Sequence, residues 1–247
     1  MEYMVIPPAL EVYFYLAATG FFMIFAAGIW LKLSLLARVK GGLSISRILW
    51  MSFTSLFSAD CLLARRVFPR SRLRGLVLVL VVWSFLLIVA GGVVSYGSTL
   101  LGVQLRTGYH LLSLTLDVAG LLLLAGVLYA MARRYLLARR EVYSIPEDAV
   151  FLLLLLVIIL SGFAVEGARL AIFSAYDPFS PAGSLIAAQL YSMPLEAKGM
   201  LFVYAKLVHF LSAFALLAYL PFSKAMHMLA AQLTTRFARE REEMYYS

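Results

Sequence analysis

Residues Leu76 to Tyr96 read LVLVLVVWSFLLIVAGGVVSY, 21 positions without one ionised side chain. A run that long spans the hydrocarbon core of a bilayer as a helix, since about 20 residues at 1.5 Å each cover roughly 30 Å. Four further runs of similar character follow from the same reading: Tyr13 to Lys32, Leu111 to Ala132, Val150 to Phe173 and Met200 to Phe222. The expected fold class is therefore all-α, a polytopic bundle of five transmembrane helices forming one domain over 1–247. The composition agrees: 63% of the 247 residues are apolar and 14% charged, against about 25% charged in a soluble domain. The single cysteine, Cys61, excludes an internal disulfide, and no Cys/His zinc spacing occurs.

The net charge of +8 is distributed by topology. Lys32 to Arg74, the connection holding Arg133, Arg134, Arg139 and Arg140, and the tail after Phe222 carry 17 of the 21 lysines and arginines on one side of the five spans. Basic loops resist translocation, which predicts an outer N-terminus, a cytoplasmic loop at 33–75 and a basic cytoplasmic tail at 223–247. The same rule accounts for the charge without nucleic acid, and no recognition motif for it is present. The first span lacks a basic leader and a small-residue cleavage site, so it reads as a retained helix in a chain starting near Met1. Within the inner loop, Ile45 to Leu63 mixes Ile48, Leu49, Met51, Phe53, Leu56 and Phe57 with polar residues, as an interfacial helix or a docking surface does. Ser144, Pro146 and Glu147 mark the start of the fourth span as a capping box. The connection from Ser174 to Lys198, with three prolines, is the longest outer segment and is placed to cover a site.

Ionisable groups at membrane depth are costly and therefore informative. They are Asp117 in the third span, Glu166 and Arg169 in the fourth, and Lys206 and His209 in the fifth, with His110 at the outer mouth of the third. Glu166 and Arg169 stand three apart, on one helix face, where they either neutralise each other or serve a proton-handling quinone pocket. Lys206 and His209 repeat that spacing in the same leaflet. Asp117 reads best as a bond to a neighbouring helix. His209 and His227 lie 18 residues apart, about five full turns or roughly 27 Å along a continuous helix. Two imidazoles in such register suit axial ligation of two stacked haems, or else ordinary hydrogen bonding; Pro221 between them is a potential kink.

The residues resemble the membrane cytochrome b subunits related to the gamma subunit of respiratory nitrate reductase, and their relatives in heterodisulfide-reductase and sulfite-reduction-associated complexes. The resemblance rests on His209-x17-His227 with Leu220-Pro221-Phe222-Ser223-Lys224-Ala225-Met226-His227, on Ser161-Gly162-Phe163-Ala164-Val165-Glu166-Gly167-Ala168-Arg169, on Leu116-Asp117-Val118-Ala119-Gly120 leading to Arg133-Arg134, and on Arg74-Gly75-Leu76-Val77 with Trp83-Ser84-Phe85. It implies an electron conduit of the cytoplasmic membrane. One or two haems b would join a quinone or menaquinone pool at the outer face to a cytoplasmic iron-sulfur protein and its catalytic partner. His209 matches the outer-haem ligand and His227 the inner one. Glu166, Arg169 and Lys206 form the implied quinone neighbourhood, the carboxylate accepting a proton and the cations stabilising a reduced quinone anion.

Leu78 departs from the pattern, at the position where the family usually places a second-helix histidine. With three histidines in the chain, only one bis-histidine haem can form. The expected pairing is His110 with His209, although counting from the inner ends puts them about 12 Å apart in depth. Met51 and Met131 are alternative sulfur ligands near the inner face, or simply packing residues. The competing function is a non-haem anchor that holds a complex on the membrane. A small transporter is disfavoured, because inverted repeats and broken helices are missing from the pattern.

Overall fold

The computed structural model describes residues 8–39, 45–56, 58, 62–65, 67–102, 106–137, 146–174 and 176–223. Seven α-helices occur among them: α1 (Pro8–Val39), α2 (Ile45–Leu56), α3 (Arg72–Leu100), α4 (Arg106–Ala132), α5 (Pro146–Ile172), α6 (Pro181–Gln189) and α7 (Leu195–Tyr219). Five are long and apolar enough to cross a membrane, over Val12–Arg38, Arg72–Ser95, Tyr109–Leu137, Glu147–Ile172 and Leu195–Phe222. The five-span reading therefore holds, with spans a few residues longer than expected because each helix continues into its polar flank. The capping serine Ser144, the candidate ligand His227 and the tail from Lys224 lie outside the described residues.

The spans pack in an order unlike their order in the chain: α1 lies against α7, α7 against α5, α5 against α4, and α4 against α3. The central core joins Leu123 and Val127 of α4, Leu155 and Ile159 of α5 and Leu216 of α7, with Val81 and Ile88 of α3 packed on it. Outward positions such as Phe22, Trp30, Val93, Leu160 and Tyr204 are exposed and apolar, as required of a surface whose solvent is lipid. The helix pairs approach closely where side chains are small. At Gly126 of α4 an added Cβ would collide with Val81 of α3.

The helix ends define two faces. The basic end holds Arg38, Arg72, Arg74, Arg133 and Arg134; the opposite end holds α6 and the starts of α4 and α7. At the basic end α4 runs into a π-helical turn, Arg133–Leu137, where Arg134 Nη2 meets Asp148 of α5 at 2.8 Å. The expected amphipathic helix is present as α2. It buries Ile48 and Met51 against Leu33 of α1 and leaves Leu49 and Trp50 exposed. Met51 and Met131 both sit among apolar side chains, packing in the ordinary way.

One expectation is overturned. A continuous helix from His209 to His227 does not form: α7 ends at Tyr219, a 3₁₀ turn follows over Leu220–Phe222, and Ser223 is extended at φ −87°, ψ 168°. Pro221 is the cause, since it has no N–H for the helical ladder and its ring crowds the preceding turn. The described part of α7 therefore stops short of the five turns that the spacing asks for.

Gly126→Val tests the close contact of α3 on α4. Overpacking there is expected to lower stability by about 1–3 kcal/mol, read as a lower Tm for the detergent-solubilised protein; an unchanged Tm contradicts the contact.

Candidate functional site

Polar side chains concentrate in the half of the bundle away from the basic end, and the connection between α5 and α7 organises them. Asp117, on α4, is 5% exposed. Its carboxylate accepts hydrogen bonds from Ser180 Oγ (3.1 Å), Ala182 N (3.0 Å) and Gly183 N (3.4 Å). Those donors form the N-terminus of α6. Ser180 makes no cap of its own; Asp117 caps the helix from across the bundle, and its negative charge meets the positive end of the helix dipole. One turn closer to the opposite end, Ser113 Oγ donates to Asp177 Oδ2 at 3.2 Å, and Asp177 Oδ1 accepts from Phe179 N at 2.9 Å. His110, on the same face of α4, packs its ring on Phe179 at 4.7 Å. The connection thus folds into the bundle instead of looping over it.

Glu166 and Arg169 pair as the spacing suggests. Arg169 Nε donates to Glu166 Oε2 at 2.9 Å and Nη2 to Oε1 at 2.7 Å. The pair is not isolated: Nη2 also donates to Tyr109 Oη at 2.7 Å. Each carboxylate oxygen keeps an unused lone pair, so the pair still offers acceptor capacity to a ligand hydroxyl. Sequence reasoning passed over Tyr109, Ser113 and Asp177; only Ser180-Pro181, a typical helix start, announced α6.

His209 lies deeper, against α5. Its Nδ1 is 2.9 Å from Ile158 O and 3.3 Å from Ser161 Oγ. A carbonyl only accepts, so Nδ1 carries the proton, and in the neutral form of the ring the lone pair stands at Nε2. The ring fits because Gly162 lies beneath it; a Cβ there would stand 3.2 Å from His209 Cε1 and 3.3 Å from Nδ1. An imidazole oriented by Nδ1–H on a backbone carbonyl is the arrangement that histidines bound to metal through Nε2 adopt. This donor set fits an axial haem ligand. Among the described residues no three His, Cys, Asp or Glu side chains converge to hold a bare metal ion; axial ligation asks for only one imidazole from each side of the iron.

His110 packs on Phe179, whereas His209 meets Ile158 and Ser161; the two histidines share no partner among the described residues. Lys206 is not paired with His209 either. Its Nζ lies 5.7 Å from the centre of the Phe202 ring, and among the described residues it has no carboxylate partner.

The fold and these polar groups define a five-span helical membrane protein with an oriented imidazole inside the bundle and an ion pair towards one end. Residues 74–241 match the nitrate reductase gamma subunit family, and the chain belongs to that family. It is 28% identical over 231 residues to an EtfAB:quinone oxidoreductase of Syntrophomonas wolfei, covering 87% of this chain and 32% of that protein. It is 27% identical over 181 residues to one of the subunits of the dihydromethanophenazine:CoB–CoM heterodisulfide reductase of Methanosarcina thermophila, covering 70% of this chain and 62% of that one. The chain thus spans about a third of the first relative and less than two thirds of the second. No solved structure matches it.

A double-mutant cycle with Glu166→Gln and Arg169→Gln is expected to give a coupling energy of about 1–3 kcal/mol in thermal unfolding. Additive single effects contradict a working ion pair.

Proposed function

We propose that the chain is the membrane-anchoring haem b subunit of a respiratory oxidoreductase complex. It exchanges electrons between the membrane quinone pool, at the end carrying Glu166, Arg169 and Lys206, and a cytoplasmic iron-sulfur subunit, itself joined to a catalytic subunit, at the basic end. The positive-inside rule supports this orientation in the cytoplasmic membrane, with the N-terminus outside and the C-terminus inside. The observation that carries the proposal is His209, whose Nδ1 is tied to Ile158 O beside Gly162 so that Nε2 is left to ligate. Family membership supports the same reading. Both relatives are named for redox enzymes, one of them a quinone oxidoreductase.

His209 and His227 are the proposed axial haem ligands. When bound, haem supplies a one-electron carrier inside the bilayer. The chain's own residues bind and orient. Glu166 accepts a proton from a quinol hydroxyl, and Arg169 holds that carboxylate in place through two hydrogen bonds. Lys206, a half-buried cation with no anionic partner among the described residues, supplies positive potential where a reduced quinone oxygen gains charge. His110, its ring packed at a tilt on Phe179, belongs to this quinone end.

Pyridine haemochrome quantification, normalised to polypeptide, tests the proposal. The wild-type chain is expected to carry one or two haems b, and His209→Ala to lose about one haem per chain while His110→Ala retains its content. A wild-type protein free of haem overturns the reading in favour of a non-haem anchor.

A further inference from the structure

Asp117 has no part in the electron path, yet it is among the best-satisfied ionisable groups in the bundle. A residue that touches substrate needs a free, reachable oxygen. Asp117 is 5% exposed, and both its oxygens are engaged by the start of α6. Its effect must pass through what α6 touches.

That helix lies on α5 with almost no clearance. Leu170 and Ala171 of α5 pack on Ala187 of α6, and a Cβ added to Gly167 would collide with Ile186. At the start of α6, a Cβ on Gly183 would stand 2.8 Å from Glu166 Cγ. The stem of Glu166 therefore lies close over Gly183, with no room for a methyl group between them, and Gly183 is the residue whose N–H is bound by Asp117. The placement of α6 thus bears on the carboxylate that Arg169 holds.

We infer that Asp117 is a positioning residue for the quinone site: by capping α6 from across the bundle, it sets where Gly183 presses on Glu166 and so where that carboxylate meets a quinol hydroxyl. The inference rests on the proposed role of Glu166. Its chemistry is that of a site held to sub-ångström tolerance by neighbours that never touch the ligand.

The test uses the purified complex, with binding of tritiated menadione as the readout and KM and kcat for menadiol oxidation alongside. Glu166→Gln reports on the underlying reading. Asp117→Ala removes all three acceptor bonds and is expected to weaken menadione binding about tenfold, raising KM more than it lowers kcat. Asp117→Asn keeps the Oδ1 acceptor for Ser180 and Gly183 and is expected to recover much of that loss. Gly183→Ala crowds both Glu166 Cγ and Ser180 Oγ, the donor to Asp117, and is expected to weaken binding in the same direction. Haem content should remain at the wild-type value in all three. Wild-type menadione affinity in Asp117→Ala and Gly183→Ala, with weakened binding in Glu166→Gln, overturns the positioning role. Wild-type affinity in Glu166→Gln as well removes the quinone reading itself. If Asp117→Ala does not assemble, Asp117→Asn and Gly183→Ala decide the matter by the same criteria.

Discussion

A polar group inside a bilayer has no water to turn to, and the half of this bundle away from the basic end is built around that constraint. Asp117 sits in an otherwise apolar helix and finds its donors in the first turn of α6. The buried start of a short helix has the complementary need, because its first N–H groups have no partners of their own. Each solves the other's problem. Once that contact forms, α6 must enter the bundle, Phe179 must lie on His110, and Gly183 must meet Glu166. The arrangement of the candidate site follows from a single carboxylate cap.

The sequence made the spans legible because hydrophobic length is a property of the chain alone. It also exposed the Glu166–Arg169 pair, since a spacing of three is local to one helix. The cross-helix partners were not legible. Tyr109 reaches Arg169 across 60 positions and Asp117 reaches Ser180 across 63, and nothing in periodicity encodes such distances. The connection after Ser174 reads as a cover, and the structure sets a short helix there beside Glu166; nine residues, most with small side chains, are too few for a hydrophobic stripe to mark that helix in the sequence. The expected continuous helix between His209 and His227 failed at Pro221, where a local rule that was visible in the sequence prevailed over an attractive spacing.

The histidines divide by environment. His209 is oriented by a carbonyl, given room by a glycine and half-buried among helices, whereas His110 is exposed against an aromatic ring. A ligand imidazole gains from fixed orientation because its lone pair must face the metal without first paying to order itself, and only His209 has that orientation among the described histidines. No histidine occurs in α3, so that helix supplies no imidazole of its own. The proposed conduit therefore depends on α7 and its hydrogen bond to α5.

The most direct measurement is an electron cryo-microscopy map of the purified complex, fine enough to resolve side chains around His209. Planar macrocycle density is expected there, with its iron on His209 Nε2 while Nδ1 remains on Ile158 O. A map in which Nε2 faces only apolar side chains, with no such density beside it, contradicts the account.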